Sequence, residues 1–258
     1  MVIIVIDVWD ITIPELTGQE NRKLYIYLPN SYNEKPDEYY PVLYMFDGQN
    51  VFFDSDATYG KSWGLKEYLE YTNTQMIVVA PACNQNPDNG RLKEYTPYPF
   101  KDKTFGNIKS LGKITMEWFV NELKPTIDNT FRTRSDRNNT FIAGSSMGGL
   151  MSLYAILEYN HIFSRAAALS PSIWTGPQKL AKMIKNANIN PDTVVYMDYG
   201  TKELPRYKHM IQKFAMISSM LMKKNIRLNA RIVPNGTHSE ASWEKQIPFF
   251  VETLLYEK

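Results

Sequence analysis

Asn139-Thr140-Phe141-Ile142-Ala143-Gly144-Ser145-Ser146-Met147-Gly148-Gly149-Leu150 is the stretch on which the fold turns. Thr140 to Ala143 reads as a short buried strand, and Leu150, Leu153, Tyr154 and Leu157 recur at helical spacing behind it. Between them lies G-x-S-x-G, running from Gly144 to Gly148. A chain that passes from strand to helix within one residue holds that residue in strained backbone geometry. Glycines on either side remove the side chains that would clash. The pattern predicts that the Ser146 hydroxyl stands out at the top of a sheet. The helix behind it would aim its first amides at any negative oxygen formed nearby.

Outward from this stretch, strands and helices alternate. Pro41 to Phe46, Gln75 to Ala80, Ser164 to Leu169, Thr193 to Tyr199 and Ile226 to Val233 read as strands. Helices are predicted at Gly64 to Tyr71 and at 110–129, 177–187, 205–224 and 239–256. The first third looks antiparallel, with β-rich runs at 2–14 and 22–28 around the turn-forming Thr17 to Asn21. The expectation is an α/β fold: a mainly parallel central sheet with an antiparallel N-terminal part and helices on both faces. The 258 residues read as one domain, with an irregular insertion at about 82–108 near the active-site edge.

Composition narrows the class further. Hydrophobic residues make up 43% without a low-complexity tract, so a packed core is expected. A net charge of +2 gives no reason to expect a nucleic-acid partner. The single cysteine, Cys83, excludes an intramolecular disulfide and fits a reducing compartment. Val2 to Ile6 lacks the basic start and cleavage site of a signal peptide, and no apolar run is long enough to span a bilayer. These features predict a cytoplasmic protein without a membrane role and leave homo-oligomerisation open; a small-molecule ester is the partner expected of the serine at the strand-to-helix turn.

A serine hydroxyl needs a base, and the chain offers His161, His209 and His238. His161 follows the helix behind Ser146, at the far end of the sheet, and His209 falls inside a predicted helix. His238 sits in the polar loop after the last strand, where the order serine, acid, histidine puts its base. The acid should leave the sheet between them. Glu203, just past the 193–199 strand, is the candidate, with Asp198 as a rival less free to reach the site. Asp192 lies at the wrong end. Met147 and Gln49 are the expected amide donors to an oxyanion, and Asp47 reads as a loop brace. Three scattered histidines form no ligand-spaced metal cluster, and neither a metal nor another cofactor is expected.

These motifs resemble the putative esterase family of the α/β-hydrolase superfamily, which holds esterase D, siderophore esterases, feruloyl esterases and mycolyltransferases. The likeness runs through Tyr25-Ile26-Tyr27-Leu28-Pro29, Asp47 to Asn50, Arg91 to Pro97, Gly144 to Leu150, Leu169 to Trp174 and Gly236 to Glu240. The short, siderophore-esterase-like bacterial branch is the most similar. The resemblance implies Ser146 as nucleophile, His238 as base and the carboxylate after Gly200-Thr201 as acid. That carboxylate is Glu203 here, where many relatives carry aspartate. Asn160 stands where the family commonly has proline.

The expected activity is serine carboxylic-ester hydrolysis. An acyltransferase using the same residues and a non-catalytic binding module are the other readings. Trp63, Arg91, Tyr98, Phe100 and Trp174 are expected to line the substrate pocket. In the competing view, Arg91 pairs with Glu94 to brace the loop while the aromatics pack beneath it.

Overall fold

The computed structural model describes residues 6–203 and 209–256. Eight strands form one sheet in the spatial order β1, β2, β4, β3, β7, β8, β9, β10. In chain order these are Ile6–Ile11 (β1), Arg22–Tyr27 (β2), Val42–Met45 (β3), Ile77–Pro81 (β4), Thr140–Ser145 (β7), Arg165–Leu169 (β8), Val194–Gly200 (β9) and Arg227–Val233 (β10). β1 pairs with β2, and β2 with β4, in antiparallel register. Every pairing from β4 to β10 is parallel. The C-terminal ends of those strands therefore share one edge, where open α/β sheets carry their ligand sites.

Alternation along the strands feeds two separate cores. Val42, Tyr44, Ile77, Val79, Ile142 and Val195 face one side, together with the helices Met147–Glu158, Pro177–Asn186 and Met210–Met222. Leu43, Met45, Val78, Phe141, Ala143 and Tyr196 face the other, under the helices Leu65–Tyr71 and Ile247–Leu255. Central strands buried on both faces need apolar residues throughout, which is why β3 and β4 read as unbroken hydrophobic runs.

Several elements differ in detail from the sequence expectation. The helix expected at 110–129 spans Gly112–Trp118 and Lys124–Thr130, joined by a π-helical turn at Phe119–Leu123. Pro125 has no amide hydrogen to give, and the wider turn ahead of it accommodates the missing bond. The helix expected at 239–256 is two, Glu240–Glu244 and Ile247–Leu255, with Pro248 opening the second. The start of the helix expected at 205–224 lies outside the described residues, as do the first residues of the run at 2–14. The described parts are Met210–Met222 and β1, with a short helix Pro14–Thr17 closing the N-terminal run. Segment 82–108 is less irregular than expected. It holds a helix, Gly90–Glu94, and a hairpin of Phe100–Asp102 (β5) with Gly106–Ile108 (β6). No helix among the described residues is long and apolar enough to cross a membrane.

Candidate active site

Ser146 sits between β7 and the helix Met147–Glu158 with φ 56° and ψ −117°, a conformation that costs an L-residue energy. Its amide donates to the Leu169 carbonyl of β8 at 2.9 Å, which ties the turn to the neighbouring strand. The turn closes only because its glycines lack side chains. A Cβ on Gly148 would stand 2.8 Å from Phe46 Cβ, and one on Gly144 would stand 2.8 Å from the Gly148 carbonyl carbon.

Glu203 and His238 arrive on two loops pinned to each other. The Lys202 amide donates to the Gly236 carbonyl, and the Thr201 amide to the Val233 carbonyl, both at 3.0 Å. A Cβ on Gly200 would lie 2.3 Å from the Gly236 oxygen, so the two loops meet at that closeness only through glycine. The result is a continuous line of hydrogen bonds. Ser146 Oγ lies 2.9 Å from His238 Nε2, and His238 Nδ1 lies 2.5 Å from Glu203 Oε2. Glu203 is 4% exposed while the His238 side chain is a quarter exposed, so the line runs from the protein interior to an open cavity. A carboxylate can only accept; the Nδ1 proton therefore belongs to this bond, and Nε2 is left to accept from the serine.

Asp198, the rival acid, does not touch His238. Its carboxyl group accepts from the Ser170 amide at 3.0 Å and the Tyr196 hydroxyl at 2.8 Å, and is almost fully buried. Burial, with the Glu203 charge adding to it, pushes its pKa from 3.8 up to about 7. The folded protein then holds more protons than the unfolded chain between those values. The stabilisation is complete below the unfolded value and is lost as pH rises through about 7. Asp198→Asn should therefore match wild type in acid and exceed it at pH 8, by on the order of a few kcal/mol. Chemical denaturation at both pH values measures this; parallel pH profiles for the two proteins would refute it. Asp192 is paired with Arg137 at 2.8 Å, at the opposite end of β9. His161 follows the elbow helix in an exposed turn, and His209 stands exposed at the start of Met210–Met222.

Ser146 and His238 open on a cavity of about 450 Å³. Gln49, Asn50, Tyr59, Arg91, Phe105, Met147, Ser172, Trp174, Glu240 and Trp243 are among its lining residues. Met147 begins the elbow helix, where amides have no carbonyl behind them to bond. Gln49 lies in the 3-10 turn Gly48–Asn50, and bonding within that turn begins only at the Asn50 amide, 2.8 Å from the Asp47 carbonyl. The Gln49 side chain faces Cys83, accepting from its amide at 3.1 Å and donating to its sulfur at 3.2 Å. Burial pushes the Cys83 thiol up to about 12, so the sulfur is an uncharged packing group.

The pocket wall departs from the sequence expectation in three places. Trp63 is buried against Trp243 and Phe250, with ring centroids 5.9 and 6.1 Å away, and does not reach the cavity. Tyr98 is buried where Gly176 closes over its ring, and Phe100 lies edge-on beneath Trp174 at 5.7 Å. These aromatics hold the wall from behind. Arg91 and Trp174 do line the cavity. Arg91 pairs with Asp47 rather than with Glu94, as a two-pronged contact at 2.6 and 2.7 Å. Glu94 is taken instead by Arg22, buried, at 2.5 Å. Sequence spacing could not show this, because Asp47 reaches Arg91 through the strand order and not through the helix they do not share.

Sequence reasoning gives no role to Glu240, Ser170, Ser172 or Trp243, although the first three lie within the quoted motifs. Ser170 and Ser172 follow β8, the strand next to β7, so the Leu169–Trp174 motif had the position needed to find them. Ser172 Oγ stands 3.4 Å from Ser146 Oγ. Glu240 accepts from Asn50 Nδ2 at 3.3 Å, and burial, reinforced by Asp47, raises its pKa. With Arg91 matched by Asp47, Glu240 leaves the wall without surplus positive charge.

The largely parallel sheet with its antiparallel N-terminal strands and helices on both faces is an α/β-hydrolase fold. The BES protein of Bacillus cereus has the same fold, with a TM-score of 0.75 at 19% identity over 100% of this chain and 97% of that one. An IroE-like serine hydrolase of Shewanella oneidensis has a TM-score of 0.73 at 19% identity, covering 95% and 78%. In sequence the chain is similar to the uncharacterized protein YbbA of Bacillus subtilis, 27% identical over 212 residues, or 79% of each chain. The model of the family described as "Putative esterase" matches residues 16–254. The chain belongs to this putative esterase family, and it is an esterase acting on a small-molecule ester.

Proposed function

We propose that the protein is a serine carboxylic-ester hydrolase that works through an acyl-enzyme on Ser146. The observation that carries this reading is the 2.9 Å and 2.5 Å line from Ser146 through His238 to Glu203, opening on a cavity. Ser146 Oγ attacks the ester carbonyl carbon while His238 Nε2 takes its proton. The carbonyl oxygen becomes an oxyanion, met by the amides of Met147 and Gln49. His238 then carries a proton on each nitrogen, and the Glu203 carboxylate stabilises that charge. Collapse breaks the bond to the leaving alcohol, which takes the Nε2 proton and departs. Water repeats the sequence: His238 takes its proton, the hydroxide oxygen attacks the acyl carbon, and Ser146 is returned with the acid product.

Trp174, Phe105, Tyr59 and Trp243 offer flat apolar faces to the acyl or alcohol group. A second cavity of about 480 Å³ meets the first along Thr58, Asn89, Arg91 and Leu92, and gives room for an extended substrate. Because Arg91, the one lysine or arginine among the lining residues, is balanced by Asp47, this wall favours a neutral ester over a polyanionic one.

Rapid quenching of the protein with an activated acetyl ester tests the mechanism. The peptide holding Ser146 should gain one acetyl group, with an initial burst of alcohol close to one per protein. An adduct on another residue, or product without any adduct or burst, would overturn the reading. Adding an alcohol acceptor separates hydrolysis from transfer: a hydrolase releases acid, and a transferase diverts the acyl group to the acceptor.

A further inference from the structure

Behind the acid lies a group of side chains that the chemical steps do not use. Ser170 stands at the end of β8, 1% exposed, in the left-handed conformation with φ 44°. Its Oγ lies 2.7 Å from Glu203 Oε1 and 3.0 Å from Trp243 Nε1. The chemistry of the groups sets the direction of both bonds. An indole nitrogen only donates, so Ser170 accepts from Trp243, and its single proton goes to the carboxylate. The Gly200 amide donates to the same Oε1 at 3.1 Å, while Oε2 receives the His238 proton. Glu203 is thus held at both oxygens by three donors, from the end of β9 and from the loops after β8 and β10.

Trp243 acts on both members of the pair. Its ring meets the His238 ring edge to face, with centroids 5.0 Å apart, while its nitrogen reaches past to Ser170. Trp63 supports it from behind, and the Ser170 amide is anchored on Asp198. Glutamate has one more rotatable bond than aspartate, so its carboxylate needs more to hold it in the plane of the imidazole. We infer that Ser170 and Trp243 are positioning residues that lock Glu203 and His238 in their reactive alignment through one shared hydroxyl. The inference rests on the acyl-enzyme reading above.

The test uses Ser170→Gly, Trp243→Phe and the double variant. Glycine adopts the left-handed conformation without strain, so Ser170→Gly removes the hydroxyl while sparing the backbone. Phenylalanine keeps a ring against His238 and loses only the donor. Ser170 does not line the cavity, so Ser170→Gly should lower kcat for a short activated ester about ten- to a hundredfold with KM within about twofold. Trp243→Phe should lower kcat several-fold, and the double variant should be no slower than Ser170→Gly, because both act through one bond. The short His238–Glu203 bond should give wild type a low-field proton resonance, which should broaden or vanish in Ser170→Gly. An unchanged kcat, an effect on KM alone, multiplicative losses in the double variant, or an undisturbed proton resonance would each overturn the inference. Failure of the acyl-enzyme reading shows separately, as full turnover by Ser146→Ala.

Discussion

Ser146→Ala should lower kcat for a short activated ester by about five to six orders of magnitude, the loss expected when the nucleophile of such a unit is removed. The remainder would come from binding and from the amides of Met147 and Gln49, which the substitution leaves in place. Stability should change by less than about 1 kcal/mol, because alanine removes one partly exposed oxygen and keeps the same backbone. Initial rates, with a denaturation curve on the same sample, check both halves of the expectation. Turnover near the wild-type rate would remove Ser146 from the mechanism. A large loss of stability would mean the rate reports a damaged elbow instead.

Glu203→Gln should cost about three to four orders of magnitude in kcat. The carboxylate accepts from His238, Ser170 and the Gly200 amide. An amide of the same shape has one accepting oxygen and turns a donating NH₂ toward at least one of those donors. If the oxygen stays with Ser170 and Gly200, the NH₂ faces His238 Nδ1. The imidazole must then accept there and carry its proton on Nε2, where it cannot act as a base toward Ser146. If the oxygen faces His238, Ser170 loses its acceptor, and stability falls by about 1–3 kcal/mol. Either way the charge that would stabilise the imidazolium is gone. Asp198→Asn, by contrast, should stay within about tenfold of the wild-type rate, since Asp198 reaches His238 only through the backbone of Ser170. The reverse ranking in a side-by-side rate comparison would transfer the acid role to Asp198, and two small effects would leave a serine–histidine pair working alone.

Much of this arrangement is legible in the sequence because its signals are local. The elbow needs two glycines around a serine between a strand and a helix, and all of that fits within a dozen residues. Gly200 and Gly236 are local as well, though their shared purpose shows only when β9 and β10 lie side by side. The wall of the cavity is harder to read. Trp63, Tyr98 and Phe100 have the composition of a binding surface, yet large aromatics lose most by staying in water, and all three are buried. Periodicity marks a residue as apolar or extended; it does not say whether the layer above that residue is solvent or another ring.

The sequence by itself determined the alternation of strands and helices, the elbow at Ser146, and the loops that carry Glu203 and His238. Those follow from backbone sterics and short-range hydrophobic patterning, which act between neighbours in the chain. Tertiary structure alone decided the pairings: Arg91 with Asp47, Glu94 with Arg22, Ser170 between Glu203 and Trp243, and Trp63 behind Trp243. Each joins residues far apart in the chain, brought together at one sheet edge by the parallel order of β4, β3, β7, β8, β9 and β10 and by the antiparallel β2 beside β4. A carboxylate or an indole has several partners of suitable chemistry along the chain. Which one it meets is settled by the packing of the whole sheet, where burial makes an unpaired polar group too costly to leave.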